Sequence, residues 1–259
     1  MYQLSSAMLG TIATVARVNN SLQNPALSAS LVSGVKNLSE MFTRGTKAGA
    51  TAYLEDGALR ASYLHYYVPV NVGKIQMLLE ELRPLLPSRT NEEFRVLDVG
   101  GGPGTGSLAL LDWCSSQSLP PISSLRMTVV DRSIEAMKLS TRLWEEYARQ
   151  INIPSIQPLQ TAVCDLEHSF PPVLRMGAEK NAYHLIIVQN VLSELFAEKS
   201  DCIARRTTLI NHLVDCLAKD GSLMLIEPAS RAESRALHQV RDNVLSELQC
   251  SIYSPCLHD

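Results

Sequence analysis

The chain has 259 residues, 46% of them hydrophobic, and a formal net charge of −3 at pH 7. This length and composition suit a folded protein with a full core, and no apolar run approaches the roughly 18 residues of a membrane-spanning helix. The charge is too small to indicate nucleic-acid binding, although residues 1–90 are mildly basic, with eight Lys and Arg against five Asp and Glu.

The cysteines show no spacing typical of a metal site. None forms a CxxC pair, and no histidine follows at zinc-finger distance. They are Cys114, Cys164, Cys202, Cys216, Cys250 and Cys256. We therefore predict no metal ligands, and thiols that are mostly buried and free in a reducing compartment.

Residues 1–90 are predicted to form a helical N-terminal extension. Two apolar faces recur at helical spacing: Leu31, Val35, Leu38 and Phe42, and then Ile75, Leu78, Leu79, Leu82 and Leu86. Asn71 is a candidate N-cap for the second helix. No strand pattern intervenes in this part of the sequence.

Strand and helix patterns alternate over residues 91–259. The predicted strands are FRVLDV (94–99), RMTVVD (126–131), LQTAVCD (159–165), YHLIIVQ (183–189) and SLMLIE (222–227). Asp220-Gly221 is predicted to turn the chain into the last strand, and residues 231–248 to form a final helix. This alternation predicts an α/β domain with a doubly wound, Rossmann-like parallel sheet.

A glycine-rich stretch, VLDVGGGPGTG, joins the first strand to its helix, and two common ligand classes fail to fit it. Nucleoside triphosphatases need a lysine after the last glycine of the loop, but Ser107 follows Gly106. A nicotinamide site needs a third glycine where Thr105 stands.

The remaining pattern is GxGxG, formed by Gly100, Gly102 and Gly104 and preceded by Asp98. It resembles motif I of class I S-adenosylmethionine-dependent methyltransferases. Their ligand has no pyrophosphate, so backbone must pass closely beneath an adenosine and a methionine tail, where side chains would obstruct it. The resemblance implies that the glycines lie on the methionine side and that Asp98 lies near the ligand's ammonium group.

Polar side chains at the ends of the next strands complete the predicted cofactor-binding set. Asp131 ends the second strand, where a carboxylate can accept both ribose hydroxyls or can cap a helix. Asp165 closes the third, as an adenine contact or an exposed loop acid, and Gln189 ends the fourth.

No catalytic residue is predicted. The fourth strand runs into Gln189-Asn190-Val191-Leu192 and not into the Asn/Asp-Pro-Pro-aromatic motif of amine methylases, and no cysteine stands in a nucleophile's context. Methyl transfer can depend largely on proximity and orientation, so activity does not require a base. Glu194 and Glu227 are expected at the cleft edge, either lining a substrate pocket or capping helices.

Several short blocks resemble one family, the small-ribosomal-subunit methyltransferase-like proteins. The blocks are Tyr53-Leu54-Glu55-Asp56, Arg60-Ala61-Ser62-Tyr63-Leu64, Tyr67-Val68-Pro69, VLSEL, IEP, RDNVL and SPCLHD. The family comprises bacterial proteins assigned as ribosomal RNA methyltransferases and mitochondrial relatives that act in small-subunit assembly. The resemblance implies S-adenosylmethionine as cofactor, the small ribosomal subunit or its rRNA as partner, and no membrane. It places the protein in the cytoplasm if bacterial and in the mitochondrial matrix if eukaryotic.

Two departures limit this resemblance. The Pro-Cys-x-His end normally continues into further cysteines, which in mitochondrial members resemble iron–sulfur ligands, but here only Cys256 is visible before Asp259. One thiolate cannot hold a cluster, so we expect none in this chain, which is either truncated or finishes early. Tyr67-Val68-Pro69 also lacks the arginine that many relatives have before the proline.

Three functions therefore stay open. The first is a methyltransferase acting on small-subunit rRNA or on the assembling subunit. The second is a non-catalytic assembly factor with a vestigial methyl-donor site. The third is a small-molecule methyltransferase in which the helical extension covers the substrate.

Overall fold

The computed structural model describes residues 4–16, 25–44, 52–82, 93–116, 124–151, 156–168, 183–248 and 250–255. Its strands are β1 (Glu93–Val99), β2 (Ser124–Asp131), β3 (Gln160–Val163), β4 (Tyr183–Gln189) and β5 (Leu217–Ile226). Its helices are α1 (Ser6–Val15), α2 (Pro25–Arg44), α3 (Gly57–Ser62), α4 (Val68–Leu82), α5 (Thr105–Ser116), α6 (Ile134–Ala148), α7 (Cys202–Asp215) and α8 (Arg231–Glu247). A 3₁₀ turn (Ala52–Leu54) precedes α3, and a π-helical turn (Tyr63–Tyr67) joins α3 to α4.

The strands form one parallel sheet in the order β3-β2-β1-β4-β5, which confirms the predicted fold class. Central strands β1, β2 and β4 are runs of apolar, often β-branched residues that are buried along most of their length, as a sheet covered on both faces requires. The order of connection reverses between β1 and β4. At such a switch point the loops after the two strands diverge and leave a crevice at the carboxyl edge, where open α/β sheets bind ligands.

Two local predictions were wrong. Asn71 does not cap a helix, because α4 already begins at Val68 and includes Pro69, whose fixed φ suits a first turn. Asp220-Gly221 does not precede the last strand but lies within β5, where Asp220 has φ of +63° and the pairing with β4 slips between Tyr183 and Leu185. The aspartate and glycine therefore form a bulge inside the strand.

The N-terminal helices share a hydrophobic core with one face of the sheet. Met8 and Ile12 of α1 and Leu79 of α4 are fully or almost fully buried together with Trp113 of α5 and Trp144 of α6. The division into an extension and a sheet domain stays a prediction, but the two share apolar contacts throughout this core. No helix within the described ranges is long and apolar enough to cross a membrane.

A buried polar cluster on α5 fastens the extension to the sheet helices. The Asp112 carboxylate, 4% exposed, accepts hydrogen bonds from the Tyr147 hydroxyl (2.5 Å) and the Gln76 amide (2.7 Å), and also from the Ser5 hydroxyl that caps α1. One side chain thus joins α1, α4 and α6 to α5.

Candidate functional site

The glycine loop after β1 has a backbone that side chains would disfavour. Gly100, Gly102 and Gly104 have φ angles of +63°, +53° and +86°, in the left-handed region where a Cβ meets its own carbonyl oxygen. The N–H groups of Gly100 and Gly101 both donate to the Val130 carbonyl, at 2.7 and 3.2 Å. The loop is therefore folded over the end of β2, and its first residues face the crevice.

The three glycines differ in what lies around them. A Cβ on Gly100 would come 2.3 Å from the Val191 side chain, and one on Gly104 would come 2.4 Å from Ser140 Oγ. A Cβ on Gly102 would meet no described atom within 4 Å. Gly100 and Gly104 thus allow close packing within the protein, whereas the open space over Gly102 is available to a ligand.

Replacing Gly102 with alanine tests its role in binding S-adenosylmethionine. We expect this variant to lose both stability and affinity for this ligand. We expect a loss of about 1–2 kcal/mol in unfolding free energy from the left-handed backbone, together with at least a tenfold weaker binding of S-adenosylmethionine, measured by calorimetry. Gly73→Ala in α4 is the matched control, because its Cβ also meets nothing within 4 Å but lies in a helix. Equal donor affinity in the two variants would remove Gly102 from the site.

Asp98 lies beneath the loop. It is 2% exposed, and its Oδ2 has no hydrogen-bond partner among the described residues. Burial raises the pKa of Asp98 to about 7, although the N–H groups of Ser107 and Gly106 act to lower it. Since a Cβ on Gly101 or Gly106 would come within 2.6 Å of Oδ2, the carboxylate supports the loop by close contact, and a ligand role for it stays a prediction.

Asp131 stands beside the loop at the carboxyl end of β2. Its Oδ2 accepts the Gly102 N–H at 3.0 Å, and its Oδ1 accepts the Ser133 N–H at 2.8 Å. Burial raises the pKa of Asp131, while these two N–H groups and the Arg132 charge oppose the rise. The carboxylate still has unused acceptor positions at the crevice, which is the geometry a ribose contact needs.

Asp165 and Gln189 make hydrogen bonds to residues outside the glycine loop. Asp165 follows β3 and binds the Glu167 N–H and the His168 ring, each at 2.9 Å. Slight burial raises the pKa of Asp165, but these two contacts outweigh it, so the pKa lies below its ordinary value. Gln189 ends β4 and donates to the Asn71 carbonyl at 3.2 Å, so it fastens α4 to the crevice edge. Contacts with the cofactor stay predictions for both residues.

The turn after β4 is fixed by one carboxylate from the end of β5. Glu227 accepts the N–H groups of Val191 (2.9 Å), Leu192 (2.8 Å) and Ser193 (3.1 Å). Glu227 therefore binds the turn after β4 and does not cap a helix there, and its other expected role, in a substrate pocket, stays a prediction. This arrangement leaves Glu194, the next residue, at the mouth of the crevice.

The extension contributes aromatic side chains to the same crevice. Tyr53 and Tyr63 are half-buried, with ring centroids 5.0 Å apart and hydroxyls that hydrogen-bond to each other. Burial raises the pKa of Tyr63 to about 12, and the charges of Glu194 and Asp131 add to the rise. Both tyrosines are therefore neutral near pH 7 and lie within electrostatic range of the two carboxylates.

Sequence reasoning missed several members of this site. Gly101 and Gly106, which make room for Asp98, lie in the same glycine run but outside the GxGxG spacing. Tyr53 and Tyr63 were recognised only as family blocks, because no local pattern shows that a helical extension turns its rings toward the sheet edge. Glu227 was expected at the cleft edge, but its hydrogen bonds to the turn after β4 were not predicted.

The described residues contain no group of three or more His, Cys, Asp or Glu that could hold a metal ion. The five cysteines among the described residues form no disulfide, and of these Cys164 is buried and Cys250 is exposed. Cys256, on which the prediction about an iron–sulfur cluster depends, lies outside the described residues.

Comparisons with known proteins give distant relatives. Two mitochondrial Rsm22-cox11 tandem proteins of Schizosaccharomyces pombe are each 24% identical over 208 residues, covering 76% of this chain but only 24% of their own length. Probable polyketide synthase 29 of Dictyostelium discoideum is 25% identical over 170 residues, covering 63% of this chain and 5% of its own. Among solved structures, the trans-methyltransferase CalH in complex with SAH has a TM-score of 0.46 and 18% identity, over 90% of this chain and 56% of CalH.

One family accounts for most of the sequence. The family model of the mitochondrial small ribosomal subunit protein Rsm22 matches residues 59–259. The matched region begins within α3 and takes in Tyr63, the glycine loop, Asp131 and Glu227, which confirms the resemblance found in the short sequence blocks. Because well over half of the chain is matched, the protein belongs to the Rsm22 family.

Proposed function

We propose that this protein is an S-adenosylmethionine-dependent methyltransferase that acts on the rRNA of the small ribosomal subunit, in the mitochondrial matrix. The observation that carries the proposal is the left-handed glycine loop bonded to Asp131 at the β1–β4 switch point. Membership of the Rsm22 family, whose description and fission-yeast members are mitochondrial, supports the partner and the compartment.

The residues present fit the proposed cofactor. The open space over Gly102 suits the methionine part, the free acceptor positions of Asp131 suit the ribose hydroxyls, and Asp165, which follows β3, is the residue we assign to the adenine. Asp98 supports the loop from beneath, with its Oδ2 in close contact with Gly101 and Gly106. When bound, S-adenosylmethionine supplies an activated methyl group, so the protein's own task is to bind, orient and exclude water.

Replacing Asp131 with alanine tests this assignment. We expect S-adenosylmethionine to bind about 1–3 kcal/mol more weakly, because charge-assisted hydrogen bonds to the ribose are lost. The measurement is calorimetric titration of S-adenosylmethionine and S-adenosylhomocysteine into protein shown to be folded. Glu135→Ala, which removes an exposed carboxylate paired with Lys138 on α6, is the control. Unchanged donor affinity in the Asp131 variant would refute the ribose role.

A non-catalytic assembly factor is the second candidate. It is favoured by the sequence after β4, Gln189-Asn190-Val191-Leu192, which lacks the motif that holds an acceptor amine. Deleting the protein and analysing the nucleosides of small-subunit rRNA separates the two functions. A methylated nucleotide lost on deletion supports the enzyme, whereas impaired assembly with an unchanged set of modifications supports the assembly factor.

A further inference from the structure

The turn between β4 and α7 has more conformational constraint than a connecting loop requires. Asn190, which begins it, and Phe196, near its middle, have φ angles of +55° and +56°. Asparagine tolerates this conformation, but a bulky side chain such as Phe196 rarely adopts it. Phe196 is buried, and its N–H donates to Glu167 Oε1 at 2.5 Å. Backbone strain maintained by such contacts is typical of ligand-binding segments.

The same turn is tied to the glycine loop and to β5. The Glu227 carboxylate binds three consecutive N–H groups of the turn, and the Val191 side chain packs directly on Gly100. A residue on this turn therefore has a fixed position relative to the donor loop. Precise placement of this kind is what a group facing a methyl acceptor needs.

Glu194 is the side chain that this support presents to the crevice. It is exposed, and its carboxylate makes no hydrogen bond or ion pair with any described residue. Partial burial raises the pKa of Glu194, and the charges of Glu227 and Asp131 add to the rise while Arg132 opposes it, so these charged groups lie near it. An accessible carboxylate with all its acceptor positions unused suits a ligand that donates N–H groups.

A cluster of aromatic side chains from the N-terminal extension lies near Glu194. Tyr53 and Tyr63 are within electrostatic range of this carboxylate, and Tyr63 stacks on Tyr67 with ring centroids 5.5 Å apart. They stand on a 3₁₀ turn and a π-helical turn, and π-helical turns occur frequently at functional sites. Tyr63 packs against both Tyr53 and Tyr67, so an unstacked base of RNA can meet this cluster only at its outer edge, beside the carboxylate.

We propose that Glu194, on a turn that lacks the amine-methylase motif, binds the methyl acceptor in its place, and that the acceptor is a nucleobase with an exocyclic amino group, presented in single-stranded RNA beside Tyr53 and Tyr63. The carboxylate accepts hydrogen bonds from the amino group, as Glu does with the amino group of cytosine, and it repels a carbonyl oxygen at the same position. This inference rests on the proposed function for the identity of the reaction, but the base preference is a property of the protein alone.

The test is binding of labelled pentacytidylate and pentauridylate, measured by fluorescence anisotropy at one fixed salt concentration without S-adenosylmethionine. The two probes have equal charge and size and differ in the amino or carbonyl group at the base edge. The wild-type protein is expected to bind pentacytidylate about tenfold more tightly. In Glu194→Gln the ratio of the affinity for pentacytidylate to that for pentauridylate should fall to about one, because an amide both donates and accepts hydrogen bonds.

Glu135→Gln is the matched control, since it removes the same charge from an exposed position on α6. It should keep the wild-type ratio, and the melting temperatures of all three proteins should agree. A wild-type ratio near one, or a ratio unchanged in Glu194→Gln, overturns the proposal. Titration of S-adenosylmethionine on the same preparations tests the proposed enzyme separately. If S-adenosylmethionine does not bind but the ratio of affinities still depends on Glu194, the proposed enzyme is refuted and this acceptor site is retained.

Discussion

Replacing Asp112 with alanine is expected to lower the free energy of unfolding by about 3–4 kcal/mol. The Tyr147 hydroxyl and the Gln76 amide would lose their shortest hydrogen bonds and keep longer ones, to Ser115 and to the Ala109 carbonyl. Each weakened or unsatisfied buried group costs about 1–3 kcal/mol. The Ser5 hydroxyl would lose its partner as well. We expect hydrogen exchange in α1 to increase more than that in β1, because the cluster fastens the extension. Denaturant unfolding gives the total loss.

Asp112→Asn is the control for the shape of this side chain. Its amide oxygen can still accept from Tyr147, and its N–H groups can donate to Gln76 Oε1, which has no partner among the described residues. We therefore expect a loss of only about 1–2 kcal/mol, the value of a weakened buried hydrogen bond. Equal losses in the alanine and asparagine variants would mean that packing, and not hydrogen bonding, joins the extension to α5.

Replacing Glu227 with alanine is the second large effect. Three backbone N–H groups, those of Val191, Leu192 and Ser193, would lose a charged acceptor. Hydrogen bonds to charged groups contribute about 1.5–3 kcal/mol each, and with partial rescue by water we expect a net loss of about 3 kcal/mol. Because Val191 packs on Gly100, donor affinity should also fall, and calorimetry on folded protein measures it.

Replacing Glu227 with glutamine removes the charge of this side chain but keeps its size and shape. The amide oxygen can stay with the Val191 and Leu192 N–H groups, which share Oε1, while its NH₂ group then faces the Ser193 N–H. One lost acceptor gives an expected loss of about 1 kcal/mol. If the alanine variant is as stable as the glutamine variant, then water replaces the carboxylate fully and Glu227 does not determine the turn.

The sequence predicted the parts of this fold that depend on local pattern. Buried parallel strands are continuous apolar runs, so β1, β2 and β4 were recognisable, and the order of strands and helices then fixed the fold class. The glycine loop was recognisable because only glycine adopts its φ angles without strain. Asp131 was placed correctly at the end of β2, since a strand's end can be counted from its apolar run.

The features that the sequence did not predict depend on contacts between distant segments of the chain. Nothing near Tyr53 in the sequence shows that its ring stands 5.0 Å from Tyr63 and within range of Asp131. Asp220-Gly221 is typical of a tight turn, and only its pairing with β4 makes it a bulge. Asn71 resembled a cap because a helix start is usually read from a polar residue, whereas burial against the sheet extended α4 to Val68.

The contact between Val191 and Gly100 has an energetic consequence for ligand binding. The side chain lies 2.3 Å from the place of a glycine Cβ, so the loop after β1 and the turn after β4 cannot move independently without creating a void or an overlap. Under the proposed function, this contact joins the loop that binds the donor to the turn that faces the acceptor. By thermodynamic reciprocity, whatever factor the donor imposes on the affinity for an acceptor, the acceptor imposes on the affinity for the donor.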